Sequence, residues 1–126
     1  MYTTHNFPFS LTLIFKVTND AVLVISQACK IATSEQIQQL EKLEVLDVIS
    51  DLLRETDSML LLTVLDIIYA FLYHGQKFMN EEGENYYINV LDNLGAVEKI
   101  EDLQDSPSEL VQKKVESILT KFFELE

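Results

Sequence analysis

The sequence holds one cysteine, no tryptophan, three glycines and two prolines in 126 residues. A single thiol, Cys29, cannot close an internal disulfide, so a stapled secreted scaffold is excluded. Basic residues are also scarce: 9 Lys and Arg stand against 21 Asp and Glu, a formal net charge of −12. That balance argues against holding a phosphate backbone, because nucleic-acid affinity comes largely from Lys and Arg. No stretch reaches the roughly 18 consecutive apolar residues that a membrane span needs. The apolar start, Phe7 to Phe15, has only His5 ahead of it and no prompt small-residue cleavage site, so it does not read as a secretory signal. It reads instead as an edge packed on the domain, or as a start that departs from the rest of the chain. With 48% hydrophobic residues, wholesale disorder is not expected, and the length suits one domain.

What is present is helical periodicity. Val45, Leu46, Val48, Ile49, Leu52 and Leu53 recur at the spacing of an amphipathic stripe. Met59, Leu60, Val64, Ile67, Ile68, Phe71 and Leu72 repeat it, as do Val111, Val115, Ile118, Leu119, Phe122 and Phe123. Thr33-Ser34-Glu35-Gln36 and Asp57-Ser58 read as helix starts. Ser106-Pro107-Ser108-Glu109 reads as a capping box with Ser106 as N-cap and Glu109 at the third helical position. Gly75 and Gly95 sit where a chain stops or kinks. No run alternates with period two for long enough to make a strand. The fold class is all-α.

The helices also repeat. Slid by 51 positions, Ile49 falls on Ile100, Leu52 on Leu103, Leu60 on Val111, Val64 on Val115, Ile67 on Ile118 and Phe71 on Phe122. A slide of 42 places Val22, Leu23, Ile25 and Ala28 on Val64, Leu65, Ile67 and Ala70. Units of this size built from two or three helices indicate a short right-handed α-solenoid of the armadillo type, about two and a half repeats long. The expected layout is a divergent segment 1–15, then an armadillo-repeat domain 16–126. That domain comprises a long helix 16–32, a repeat 33–77, a loop insertion 78–84 and a terminal capping repeat 85–124. As an end cap, the last helix should carry a wettable outer face, supplied by Lys113, Lys114, Glu116, Thr120 and Lys121.

Several runs resemble one family in colinear order. Phe15 to Ala28 followed by Thr33 to Ile37, then Leu52-Leu53 through Asp57 and Leu65-Asp66, are similar to late armadillo units of importin-α. Gly95 to Gln104 resembles the family's last short helices, and Gln112-Lys113-Lys114 through Phe122-Phe123 resembles its closing helix. The match runs from Phe15 to Phe123 almost without gaps.

The resemblance implies a non-catalytic nuclear-import adaptor or a divergent paralogue, found in cytoplasm and nucleus. It corresponds to the third helix of the antepenultimate unit and the final two units. Family members bind basic nuclear localisation signals through a ladder of Trp and Asn one helical turn apart. The matching positions are Leu23 and Gln27, and in the next unit the Asn-like position is Ala70. Leucine offers no π-face to a lysine, which forfeits about 0.5–2 kcal/mol per contact, so cargo binding there is expected to be weak. What remains is the C-terminal region, which implies a CAS-type export factor or a nucleoporin as partner. Tyr69 and Tyr73, one turn apart, are candidate aromatic faces for a basic peptide, with packing on a neighbouring helix as the alternative. Glu81, Glu82, Glu84, Asp102, Asp105, Glu124 and Glu126 form a candidate acidic surface for a basic partner, with a plain solvated face as the alternative.

Catalysis finds no support. His5 and His74 stand outside any zinc-ligand spacing, so neither a catalytic nor a metal site is assigned. Cys29 occupies an apolar helix position and reads as a core residue. No glycine-rich phosphate cradle exists, and no cofactor is expected. A general armadillo-type interaction scaffold, unrelated to cargo carriage, is the other function class. The first long helix lacks its preceding partners, so self-association through that end is expected unless Phe7, Phe9, Leu11, Leu13 and Ile14 fold back over it.

Overall fold

The two stripes on residues 58–77, one through Leu60, Val64, Ile67 and Phe71 and the other through Leu61, Leu65, Ile68 and Leu72, leave that helix no polar side to spare. A helix apolar nearly all round must be covered on both flanks, and the computed structural model shows how. It describes residues 10–123, with side chains from Thr18 onward. The helices are α1 (Ser10–Ile31), α2 (Ser34–Lys42), α3 (Val45–Leu52), α4 (Ser58–Lys77), α5 (Tyr86–Asn93), α6 (Ala96–Asp102) and α7 (Glu109–Phe122), with a 3-10 turn at Leu103–Asp105. No strand occurs among the described residues. The three long helices form one layer, in which α1 and α7 both pack on α4. The pairs α2–α3 and α5–α6 form the other layer, joined where α3 meets α5. This is an all-α, armadillo-type stack.

The burial pattern follows from position in the stack. α4 buries Leu60, Leu61, Val64, Leu65, Ile67, Ile68, Phe71, Leu72 and Gly75. Each large apolar side chain fully buried there contributes about 1.5–3 kcal/mol. The residues 51 positions later diverge on one side only. Val111, Val115 and Ile118 are as buried as Leu60, Val64 and Ile67, whereas Gln112 and Glu116, which replace Leu61 and Leu65, are exposed. α7 therefore has one neighbour in its layer and a wet outer face. Of the residues expected on that face, Lys113, Glu116 and Thr120 are there, lining a shallow hollow with Ser117. Lys114 and Lys121 are not: both turn toward α4, where they meet Tyr69. A helical offset of one residue rotates a side chain by about 100°, enough to move Lys114 off the face that Lys113 occupies.

Local signals explain the ends. Thr33 closes a full capping box, its hydroxyl accepting from the Gln36 amide while the Gln36 side chain accepts from the Thr33 amide. Asp57 caps α4 through the Met59 amide. The cap of α7 differs from the expectation. Ser108, with extended backbone, accepts from the Val111 amide, so Glu109 is the first helical residue. Ser106 instead ends the 3-10 turn, and its hydroxyl accepts from the Ser108 amide. Its carbonyl also accepts a hydrogen bond from the Gln112 side chain. α1 begins at Ser10, earlier than the periodicity predicts. The expected fold-back of Phe7, Phe9, Leu11, Leu13 and Ile14 concerns side chains outside the described ones.

α4 is long and apolar enough, by length and composition, to cross a membrane, contrary to the expectation that no stretch is. Thr63, Asp66 and His74 interrupt it, so a count of consecutive apolar residues passes it by. Half of its most apolar window is buried inside the fold, as befits the central helix of a stack.

Two repeat-related backbone positions adopt the left-handed conformation just before a short helix: Glu44 with φ 63° and Gly95 with φ 76°. They are 51 residues apart, the repeat spacing. Layer is tied to layer by the Asn85 side chain, which donates to the Leu72 carbonyl at 2.9 Å and accepts from the Tyr87 amide at 3.1 Å. Gly75, where a kink was expected, lies inside α4 and leaves room for that amide; a Cβ there would sit 2.0 Å from Asn85 Oδ1. Tyr87 stacks edge-on to Phe71 at 5.2 Å. Ser34 Oγ and His74 Nδ1 are 2.9 Å apart, linking α2 to α4. Lys99 donates to the Ser50 carbonyl at 3.1 Å, fastening α6 to α3.

Three stability outcomes follow from this geometry. Glu44→Gly relieves left-handed strain and is expected to raise chemical-denaturation stability by up to about 1 kcal/mol, while Gly95→Ala lowers it by about as much. Gly75→Ala displaces Asn85 from a cap and a buried bond, and should cost about 2–3 kcal/mol in the same assay. Burial first, and then Lys77, lower the His74 pKa below its ordinary value of 6.5. The unfolded chain therefore binds this proton more readily, so the His74 contribution is present above pH 6.5 and is lost as pH falls through the depressed folded value. Melting curves recorded from pH 7.5 down to 5 should show a smaller acid loss for His74→Gln than for the parent chain.

Candidate functional site

On the partly exposed strip of α4, Asp66, Tyr69, Ala70 and Tyr73 follow one another at three- and four-residue spacing and so share a helix face. Together with Cys29 and Lys30 of α1 and Lys114 of α7 they line a shallow cavity of about 340 Å³. Lys114 Nζ lies 2.7 Å from Asp66 Oδ1. That pair is partly solvated, so its contribution to stability is small, about 0.5 kcal/mol. The same ammonium sits 4.7 Å from the centroid of the Tyr69 ring. Lys121 lies 5.9 Å from Tyr69 and 6.0 Å from Tyr73, and Lys77 lies 5.4 Å from Tyr73. The edge of Tyr69 meets Phe122 at 5.2 Å. Tyr69 is thus both a packing residue between α4 and α7 and a ring that faces cations.

Charge gathers here against the trend of the chain. Lys30, Lys77, Lys114 and Lys121 are four of its nine basic residues, in a sequence of net charge −12. Asp66 is the one acidic residue among those lining the cavity. Among the described residues Lys30, Lys77 and Lys121 make no ion pair. Sequence reading found the two tyrosines but not the lysines around them. The signal was the seven-residue step from Lys114 to Lys121, which puts both on one stripe; which neighbour that stripe meets depends on how α7 is turned against α4.

The other candidate positions lie elsewhere. Leu23 is half exposed and Gln27 exposed, one turn apart on α1, and neither lines the cavity. Glu81, Glu82 and Glu84 occupy the loop before α5, shaped by Asn80, whose side-chain oxygen accepts from the Glu82 and Glu84 amides. Asp102 ends α6 and Asp105 ends the 3-10 turn. Glu124 and Glu126 fall outside the described residues. Cys29 is buried, and burial pushes its thiol up to about 11, so it is protonated at neutral pH and a poor nucleophile. Among the described residues no group of three or more His, Cys, Asp or Glu side chains is placed to hold a metal ion. A partly polar trough with fixed cations and aromatic rings can bind a peptide.

Comparison with known proteins adds an independent line. No family model matches the chain. It is 27% identical over 109 residues to Importin subunit alpha-1 of Caenorhabditis elegans, a match covering 86% of this chain and 21% of the relative. It is 30% identical over 93 residues to Probable importin subunit alpha-A of Dictyostelium discoideum, covering 74% of this chain and 17% of the relative. The chain spans about a fifth of the length of the curated relatives it matches. Colinear motifs, stacked three-helix units and two relatives of one name converge, and the chain is accordingly a relative of the importin-α family.

Proposed function

We propose that this chain is a non-catalytic, protein-binding part of an importin-α-type nuclear transport adaptor. It acts in nuclear localisation signal-dependent import and receptor recycling, and moves between cytoplasm and nucleus. The observation that supports the reading best is the extent of the match: it covers 86% of the chain.

Within that role, the partner we favour is a CAS-type export factor or a nucleoporin rather than a basic signal peptide. Leu23 lacks the π-face of the family's tryptophan. The rings of Tyr69 and Tyr73 already face Lys77, Lys114 and Lys121. A cargo lysine entering there would meet like charges at about 6 Å, which costs between about 0.7 and 3 kcal/mol per pair depending on the local dielectric. Self-association through the open side of α1, where Leu23, Val24 and Ile31 are exposed, belongs to the same proposal.

The immobilised chain is expected to capture a CAS-type export factor or a nucleoporin, and to retain a peptide bearing a basic nuclear localisation signal only weakly. Tight retention of that peptide, lost in the Leu23→Ala and Gln27→Ala variants, would overturn the preference. Sedimentation should show a concentration-dependent dimer, whereas a strict monomer at high concentration counts against the exposed α1 face as an interface.

A further inference from the structure

We infer that the trough between α1, α4 and α7 is a docking site for an acidic, extended segment of a partner protein. The inference concerns a contact of opposite sign to the family's cargo recognition, and it does not depend on the transport reading. Three ammonium groups lie by two tyrosine rings here and Lys30 lines the cavity beside them, with Asp66 neutralising only Lys114. Such an arrangement leaves Lys30, Lys77 and Lys121 as unpaired donors on three helices.

Each side of the trough contributes a different element of recognition. Lys30 on α1 and Lys121 on α7 provide cations on the two flanks, and Lys77 one at the C-terminal end of α4, where the helix dipole already favours it. Tyr73, 43% exposed, offers ring surface and a hydroxyl. Ala70 has no side chain beyond Cβ, so a backbone can approach α4 there. Carboxylates spaced along an extended chain would meet the lysines in succession, with charge-assisted hydrogen bonds stronger than neutral ones. A basic peptide finds one carboxylate, and that one is taken.

The net charge of −12 repels an acidic segment at a distance, but screening at physiological ionic strength confines that repulsion to about 8–10 Å. Inside this range the local lysines dominate. Four of the nine basic residues sit around the trough, so the rest of the surface is still more acidic than the average suggests. Association should therefore be specific to the trough and not a general affinity for polyanions.

The test titrates the full chain into a fluorescein-labelled peptide of Glu-Asp-Leu repeats, followed by anisotropy at physiological salt. Saturable binding is expected, weakened at least about tenfold by Lys30→Glu or Lys121→Glu, a change equal to about 1.4 kcal/mol. Lys113→Glu, on the outer face of α7, should change it less than about twofold, since a distant rim charge alters affinity little. Unchanged helical circular dichroism in all three variants shows that the fold is retained. Failure of the acidic peptide to bind overturns the inference, as does equal weakening by Lys113→Glu. Tighter binding of a Lys-Arg-Leu repeat peptide, or of an RNA oligonucleotide, overturns it as well.

Discussion

Everything in this chain depends on α4 being covered on two sides. Leu61, Leu65, Ile68 and Leu72 would face water on an isolated two-helix unit, as would Leu60, Val64, Ile67 and Phe71 on the other flank. Only a stack with a long helix on each side removes both stripes from solvent, and this is the constraint that defines repeat architectures. α7 shows the converse. Gln112 and Glu116 replace Leu61 and Leu65 there, and the side away from α4 is polar while the side on α4 keeps its apolar stripe. The same logic sets the groove: the third strip of α4 is only partly covered, and there Asp66, Tyr69 and Tyr73 gather with lysines from both neighbours, Tyr69 also packing on Phe122.

That arrangement changes how kinship with importin-α should be read for function. The family's resemblance lies in the scaffold, in the order of helices and in the short motifs at their ends. Leu23 and Gln27 stand at the positions that the resemblance aligns with the family's ladder, and in this chain lysines face the tyrosines. Scaffold and recognition surface evolve under different demands, because core positions answer to packing and exposed ones to partners. A chain can therefore keep the rod and change what lies along it.

Much of the architecture was legible because one helical stripe per element is written in the apolar spacing. The fold class, the repeat of 51 and the caps at Thr33 and Asp57 were open to reading for that reason. The cap at Ser108 was not: Ser106-Pro107-Ser108 offers two hydroxyls two residues apart, and only the backbone course shows that Ser106 serves the preceding turn. Glu44 was overlooked because its left-handed conformation is the one that Gly95 adopts in the next unit, and a glutamate does not announce it. Gly75 read as a stop, although its role is to admit the Asn85 side chain from a neighbouring helix. Of the lysines of the trough, Lys114 and Lys121 are expected from sequence on the outer face of α7 and lie against α4 instead. A heptad step gives a stripe, but the rotation of one helix against another is a tertiary fact, decided by how Val111, Val115 and Ile118 seat on α4.

The most direct test of the layered stack is a distance across it. Spin labels on single cysteines at Gln27 of α1 and Thr120 of α7, in a Cys29→Ser background, can be measured by pulsed electron resonance. With α4 between them, the two helices are separated by two packing distances, so backbone separations of about 16–20 Å are expected before allowing for label length. A narrow distribution centred on one packing distance, about 8–10 Å, would mean that α1 and α7 close on each other in a bundle. The stacked account would then be contradicted.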